Sequence, residues 1–74
     1  MKGKNQHVVP HGIEWAIRGE GNDRLTKIVG TQKEAIEIAR GISINQNSEL
    51  FIHGENGRIR ERNTYGEDPF PPKG

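Results

Sequence analysis

The segments Trp15-Ala16-Ile17-Arg18 and Thr31-Gln32-Lys33-Glu34-Ala35 decide the fold of this chain. The first alternates between large apolar and other side chains, as a strand with one buried face does. The second begins with Thr31 and has Glu34 three residues later, which is the spacing of a capping box at a helix start. A strand pattern that changes to helical spacing at a cap predicts a β-sheet packed against a helix.

The helix is predicted to run from about Gln32 to Gln46. The side chain of Thr31 can accept a hydrogen bond from a backbone N–H that has no partner within the helix. Asn45-Gln46-Asn47 favours the end of the helix, because Asn tolerates the left-handed backbone conformation found there. The predicted buried face consists of the apolar residues at helical spacing, which are Ala35, Ile38, Ala39 and Ile42.

Five strands flank this helix in the sequence. In the second, Ile13, Trp15 and Ile17 alternate with other residues and are expected to face the helix, with Trp15 as the anchor of a small core. Pro10 indicates an edge position for the first strand, because proline lacks a backbone N–H. Asn56-Gly57 predicts a tight hairpin turn. The predicted strands are Val8-Val9 between Gln6 and Pro10, then Ile13–Gly19, Leu25–Val29, Glu49–His53 and Arg58–Arg62.

These elements predict one α+β domain, an antiparallel β-sheet packed on one α-helix, in the order β-β-β-α-β-β. We expect a flexible N-terminus at residues 1–5, the domain at 6–62 and a Pro-rich C-terminal arm at 63–74. At this size, folding buries only about 60% of the surface that the unfolded chain exposes. Such a thin core leaves little to line a deep substrate pocket, which favours a binding module over an enzyme.

Charge and composition narrow the functional classes. Eleven Lys and Arg against ten Asp and Glu give a formal net charge of +1, so no strong overall field attracts nucleic acid or acidic membranes. The lack of cysteine excludes disulfides and thiolate metal sites and fits a reducing cytoplasm. No apolar run has the length of a signal peptide or a membrane span. We therefore expect a cytoplasmic protein without a membrane partner.

Alternate positions of the last predicted strand carry arginines. This places three guanidinium groups on one sheet face about 7 Å apart, close to the spacing of successive phosphates in a nucleic-acid strand. In the same register, Ile59 faces the helix. The alternative is that these arginines pair with acids such as Glu14 or Glu49 on neighbouring strands. The candidate nucleic-acid-binding residues, including those that extend the patch if the hairpins are adjacent, are Arg18, Arg24, Lys27, Arg58, Arg60 and Arg62.

The end of the chain combines aromatic rings with prolines. Prolines stiffen an extended backbone, which lowers the entropic cost of docking into a groove on a partner or a twin subunit. A segment without fixed structure is the alternative. Because one helix cannot cover a five-stranded sheet, the remaining apolar surface and this arm predict a homodimer. The candidate partner-binding residues are Tyr65, Pro69, Phe70, Pro71 and Pro72.

No combination of residues in the sequence predicts a reaction centre. His7, His11 and His53 are the three histidines, and their spacing does not indicate convergence on a metal ion. Ser43 and Ser48 have no histidine and acid at a recognisable spacing. We expect no enzymatic activity, no cofactor and no metal.

Five segments of the chain carry a family resemblance, and they are Trp15–Asn22, Thr31–Ile36, His53-Gly54, Gly57–Arg62 and Tyr65–Gly74. Together they resemble a family of small bacterial and phage-borne proteins catalogued as a domain of unknown function of type 2188. The resemblance covers nearly the whole chain, and Asp68-Pro69-Phe70-Pro71-Pro72 is its most specific part. It implies a compact fold of strands and a helix, and it brings no established activity.

A looser likeness connects Trp15, Arg18, Lys27 and the segment Thr31–Ala35 with the arm-type DNA-binding modules of phage integrases and with plant AP2 domains. Those modules lay a three-stranded sheet into the major groove. They are strongly positive and lack the second hairpin predicted here. The leading functional hypothesis is a small non-enzymatic module that binds nucleic acid through a basic sheet face. The alternative is a protein-interaction or homo-assembly module that uses the Pro-rich C-terminal arm.

Overall fold

Five strands and one helix form two layers in the computed structural model, which describes residues 3–65. The helix contacts the first four strands and lies on one face of the sheet. The predicted α+β class with a single helix is confirmed. The elements are β1 (Gln6–His11), β2 (Glu14–Gly19), β3 (Lys27–Val29), α1 (Gln32–Gln46), β4 (Glu49–His53) and β5 (Ile59–Thr64).

The sheet is mixed, and the prediction of a fully antiparallel sheet is wrong. Its strand order is β3-β2-β1-β4-β5, and β4 pairs in parallel with β1. Because β2 is antiparallel to both β1 and β3, those two strands run in the same direction. Helix α1 connects β3 to β4 and returns the chain to the end of the sheet at which β3 begins. Strand β4 therefore runs parallel to β3 and β1, as strands joined by a helical crossover do.

Pro10 lies in the central strand β1, which corrects the expected edge position. Strand β1 pairs with β2 over residues 6–11, whereas its pairing with β4 covers only Gln6, His7 and Val8. Pro10 therefore lies beyond the end of the β1–β4 ladder. A proline is tolerated inside this sheet because no hydrogen bond to β4 is required from its nitrogen.

The turn between β1 and β2 corrects the expected face of Ile13. His11 pairs with Glu14, so Gly12 and Ile13 form a two-residue turn in which Gly12 has a positive φ of 65°. Ile13 is 96% exposed instead of facing the helix. The strand alternation starts only after the turn, with Ile17 fully buried and Trp15 packed against the core as predicted.

Helix α1 has the predicted bounds. The Thr31 Oγ1 atom accepts a hydrogen bond from the Glu34 backbone N–H at 3.2 Å. Asn47 ends the helix in the left-handed conformation with φ 54°. The buried face differs in part from the prediction, because Ala35 and Ala39 are joined by Ser43, while Ile38 and Ile42 are only partly buried. Small residues on this face allow helix and sheet to approach closely.

Within residues 3–65, no helix has the length and apolar character needed to cross a membrane.

Strand β5 differs from the predicted strand in both its start and its register. The pairing with β4 shifts between Ile52 and His53, so that Ile52 lies opposite Glu61 and His53 lies opposite Ile59. Ile59 is 56% exposed, and the prediction that it faces the helix is wrong. A bulge breaks the alternation on which that prediction depended. At its other end β5 continues to Thr64, two residues beyond Arg62.

Candidate functional site

The sheet face opposite α1, which we call the open face, carries two histidines, a phenylalanine and two arginines on neighbouring strands. Val8 and Ile17 are buried between sheet and helix, so their neighbours His7 and Arg18 lie on the open face. Leu50 is buried in the same way, which places Phe51 on the open face of β4. The face is thus built by the same alternation that builds the core.

Four of these side chains form a row across the sheet, which we call the cross-strand row. Arg18 of β2 pairs with His7 of β1, His7 pairs with Phe51 of β4, and Phe51 pairs with Arg62 of β5. With strands about 4.8 Å apart, the row is about 14 Å long. It has two rings in the middle and one guanidinium at each end.

The two rings of the row are stacked. The centroids of His7 and Phe51 are 4.9 Å apart and their planes differ by 20°. The guanidinium carbon of Arg62 lies 5.9 Å from the centroid of Phe51, within the range of a cation–π interaction. Phe51 is therefore held between an imidazole and a guanidinium.

The two arginines of the row differ in their partners. Arg62 Nε lies 3.3 Å from Glu49 Oε1, and its side chain remains 60% exposed. An ion pair this exposed contributes about 0–1 kcal/mol, so Arg62 can move at small cost. Arg18 Nε, by contrast, is buried and has no hydrogen-bond partner among residues 3–65. The alternative that Glu49 pairs with a last-strand arginine is realised at Arg62.

A chain of hydrogen bonds starts from His7 and crosses the open face. His7 Nε2 lies 3.2 Å from Glu20 Oε1, and His7 Nδ1 lies 3.0 Å from His53 Nε2. His53 Nδ1 lies 2.9 Å from the carbonyl oxygen of Gly57. The side chain of His7 is only 15% exposed, so both of its nitrogens are engaged in a partly buried environment. We call His7 and His53 the histidine pair.

The predicted arginine triplet does not form one row. Arg58 lies in the β4–β5 turn, and Arg60 Nη1 donates to Gln32 Oε1 at the start of the helix, at 3.3 Å. Both arginines line a groove beside Trp15, away from Arg62. The β4–β5 register shift separates them, because it reorients the residues that precede Glu61.

The remaining predicted cations lie away from the cross-strand row. Lys27 pairs with the buried Ile17, which places it on the helix side of the sheet edge. Arg24 is exposed in the connection between β2 and β3. Of the six candidate residues, only Arg18 and Arg62 are members of the row.

Of the five predicted partner-binding residues, the structure describes Tyr65. Tyr65 packs against the core, and its backbone N–H donates to the Ser48 carbonyl oxygen at 3.1 Å. Its position is thus an extension of β5. Pro69, Phe70, Pro71 and Pro72 lie outside the described residues.

Three residues of the open face were not predicted as functional. His7, Phe51 and His53 lie in strands whose period-2 pattern was visible, and Leu50 and Ile52 flank Phe51 as a buried pair. The signal that identifies Phe51 is an aromatic ring on the face opposite two buried aliphatic residues. Its neighbour His7 cannot be found this way, because the parallel β1–β4 pairing joins residues 44 positions apart.

No group of three or more His, Cys, Asp or Glu side chains in residues 3–65 is arranged to hold a metal ion.

Asn5, which precedes β1, also contributes to the surroundings of the open face. Asn5 Oδ1 accepts from the Glu49 backbone N–H at 2.9 Å, and Asn5 Nδ2 donates to Glu20 Oε1 at 3.2 Å. Asn5 thus contacts the carboxylate of Glu20 and the backbone of Glu49, whose carboxylate pairs with Arg62.

Fold and site define a small α+β module with a five-stranded mixed sheet, one covered face and one open face. The chain belongs to the bacterial family described as "Uncharacterized protein conserved in bacteria (DUF2188)", which matches residues 6–65. The predicted family is thereby confirmed.

A curated relative is the "Uncharacterized protein YdaT" of Bacillus subtilis (strain 168), which is 34% identical over 62 residues. The match covers 84% of this chain and 41% of the relative, so the chain spans about two fifths of that protein's length. No solved structure matches the chain.

Proposed function

We propose that this chain is a cytoplasmic, non-enzymatic module that binds single-stranded nucleic acid on the open face of its sheet. The observation that supports the proposal is the cross-strand row, in which stacked rings lie between two guanidinium groups. Single-strand binding proteins combine these two elements, because bases stack on aromatic rings while cations contact the phosphates.

Binding displaces the guanidinium of Arg62, which is held only by an exposed ion pair with Glu49. A base takes the place of the guanidinium over Phe51, and the released guanidinium contacts a phosphate. His7 supports Phe51 from the other side through the ring stack. Arg18 supplies a second phosphate contact about 14 Å away, at the other end of the row.

The acids of the open face set the strength of this interaction. Glu49 competes with phosphate for Arg62, and Glu20 adds a second negative charge beside His7. With a net charge of +1, the whole chain adds little long-range attraction. Binding is therefore expected to be weak, strongly dependent on salt and tolerant of base sequence.

Phe51→Leu is expected to weaken binding about tenfold, because stacking on an aromatic ring contributes about 1–3 kcal/mol per base. Leucine retains the bulk of the side chain and removes the π-face.

Arg62→Ala is expected to reduce the salt dependence by about 0.7 in the slope of log K against log salt, as loss of one single-strand phosphate contact does. Fluorescence anisotropy with DNA and RNA oligonucleotides of about 12 nucleotides measures both effects.

Arg40→Ala is the matched control for the arginine variant. Arg40 is exposed on α1, on the other side of the sheet, so its removal should leave the affinity unchanged. Glu49→Gln should increase the affinity, because it removes the competing carboxylate. The proposal is wrong if no oligonucleotide binds at about 50 mM salt, or if Phe51→Leu and Arg40→Ala behave alike. Preferential binding of a duplex would refute the single-strand assignment.

We propose homo-assembly as a second function, because four large apolar side chains are exposed among residues 3–65. Ile59 lies on the edge strand β5 and Ile28 on the edge strand β3, at opposite sides of the sheet. Exposed apolar residues on edge strands favour association between chains. The Pro-rich arm would then clasp a twin subunit. The exposed isoleucines are Ile13, Ile28, Ile44 and Ile59.

A clasping arm predicts that the full chain has the mass of a dimer and that a chain ending at Tyr65 has the mass of a monomer. Dimer masses for both chains would assign the association to the exposed isoleucines alone. Removal at this point leaves β5 and the Tyr65 contact with the core in place. Light scattering after size-exclusion chromatography measures both masses. Equal masses for the two chains would exclude a clasping role for the arm.

A further inference from the structure

We propose that the histidine pair binds one divalent transition metal ion, such as Zn²⁺, Ni²⁺ or Cu²⁺, between His7 Nδ1 and His53 Nε2. These two nitrogens lie 3.0 Å apart on neighbouring strands of the open face. The inference goes beyond the proposed nucleic-acid binding and does not depend on it.

Each ring of the histidine pair has an inner nitrogen, which faces the other ring, and an outer nitrogen, which faces another residue. The contacts of the outer nitrogens fix the positions of the ring hydrogens. His53 Nδ1 faces the Gly57 carbonyl oxygen, which only accepts, so this nitrogen donates. His7 Nε2 faces a carboxylate oxygen of Glu20, so this nitrogen donates as well. Each neutral imidazole carries one N–H and has used it in an outer contact.

The two inner nitrogens therefore both present lone pairs. His7 Nδ1 and His53 Nε2 face each other without a hydrogen to share as long as both rings are neutral. A cation between them satisfies both lone pairs at once. A proton does so by forming one hydrogen bond, and a metal ion does so by forming two coordinate bonds.

The outer contacts also match those of metal-ligating histidines. Such histidines donate their second N–H to a carboxylate or a backbone carbonyl, which fixes the tautomer and the ring orientation. His7 has the carboxylate of Glu20 in this role, and His53 has the carbonyl of Gly57. The groups that orient the two rings for metal binding are thus in place.

The distance between the inner nitrogens requires a small adjustment. Two Zn–N bonds of about 2.0–2.1 Å at a tetrahedral angle place the nitrogens about 3.3–3.4 Å apart. The observed 3.0 Å must therefore widen by a few tenths of an ångström, with a tilt of both rings. Solvent supplies the remaining ligands, since the pair contributes two.

Imidazole ligands determine which ions bind. They suit zinc, copper and nickel, whereas magnesium and calcium prefer oxygen ligands. For a site of given geometry, Cu²⁺ binds more tightly than Ni²⁺ or Zn²⁺. The full chain should bind one equivalent of these ions with Cu²⁺ the tightest, and Mg²⁺ should not compete.

Isothermal titration of the full chain with NiCl₂ and ZnCl₂, in the absence of nucleic acid, tests the proposal. His7→Gln and His53→Gln are each expected to abolish the one-equivalent binding step. His11→Gln is the matched control, because His11 is the third histidine, lies at the exposed end of β1 and should leave the step unchanged. Glu20→Gln should weaken binding about tenfold or more while preserving the stoichiometry, because Glu20 orients the His7 ring without being a ligand itself.

Imidazole ¹⁵N NMR on the unmodified chain keeps the test independent of the folding of the variants. Addition of Zn²⁺ should change the shifts of His7 Nδ1 and His53 Nε2 to those of ligating nitrogens, while both His11 nitrogens stay unchanged. The site is overturned if the chain binds no metal, if binding persists in His7→Gln or His53→Gln, or if other ring nitrogens respond. Loss of oligonucleotide binding alone would leave these results unaffected, so the two proposals fail separately.

Discussion

Replacing Leu50 with alanine is expected to lower the free energy of unfolding by about 2–5 kcal/mol. Leu50 is fully buried in β4, and it belongs with Val8 and Ile17 to the hydrophobic core. The range includes the lost transfer free energy and the cavity that the neighbours cannot fill. A chain of this length has a total stability of about 4–11 kcal/mol, so the variant loses a large part of it.

Ile59→Ala is the matched control for this variant. Ile59 is 56% exposed, so its replacement should change the stability by no more than about 0.5 kcal/mol. Urea unfolding followed by Trp15 fluorescence measures both variants, since Trp15 is the single tryptophan and packs against the core. Similar losses in the two variants would indicate that Ile59 faces the core, as uninterrupted alternation predicts.

The parts of the fold that the sequence predicts are those set by local interactions. The helix bounds follow from the Thr31 cap and from the left-handed conformation of Asn47, both of which depend on neighbouring residues. The β4 strand and the turn at Asn56-Gly57 follow from alternation and turn chemistry. Each of these signals lies within a few residues of the structure that it determines.

The parallel pairing of β1 with β4 has no local signal. It depends on the direction in which α1 returns the chain to the sheet. It brings His7 next to Phe51, although the whole of α1 lies between these two residues in the sequence. The position of Pro10 in the central strand follows from the short extent of that pairing. For these reasons the strand order could not be derived from hairpin patterns alone.

For the same physical reason, the sequence predicts only part of the candidate site. Arg18 and Arg62 follow from their own strand positions, but the stack between them requires β1 and β4 to be neighbours. The bulge in the β4–β5 pairing removed Arg58 and Arg60 from the predicted row. A bulge of one residue reverses the face of every side chain beyond it, so one unrecognised irregularity changed the interface.

A chain that ends at Arg62 is expected to be less stable than a chain that ends at Tyr65 by about 3 kcal/mol. Both chains lack residues 66–74 and differ only in Asn63, Thr64 and Tyr65. The shorter chain loses the pairing of Asn63 with Leu50 and of Thr64 with Glu49. It also loses the Tyr65 N–H bond to Ser48 and the packing of its ring against the core.

This comparison separates two roles for Tyr65, because a residue of a detached arm contributes nothing to the stability of the domain. Chemical unfolding of the two chains measures the difference directly. Tyr65→Ala in the full chain should reproduce a large part of the loss, since the ring is partly buried against the core. Equal stability of the two shortened chains would assign Tyr65 to the arm and end the domain at Arg62. A loss of the expected size places the boundary of the domain after Tyr65, because the last residues of the β4–β5 pairing then stabilise the edge of the core at Leu50.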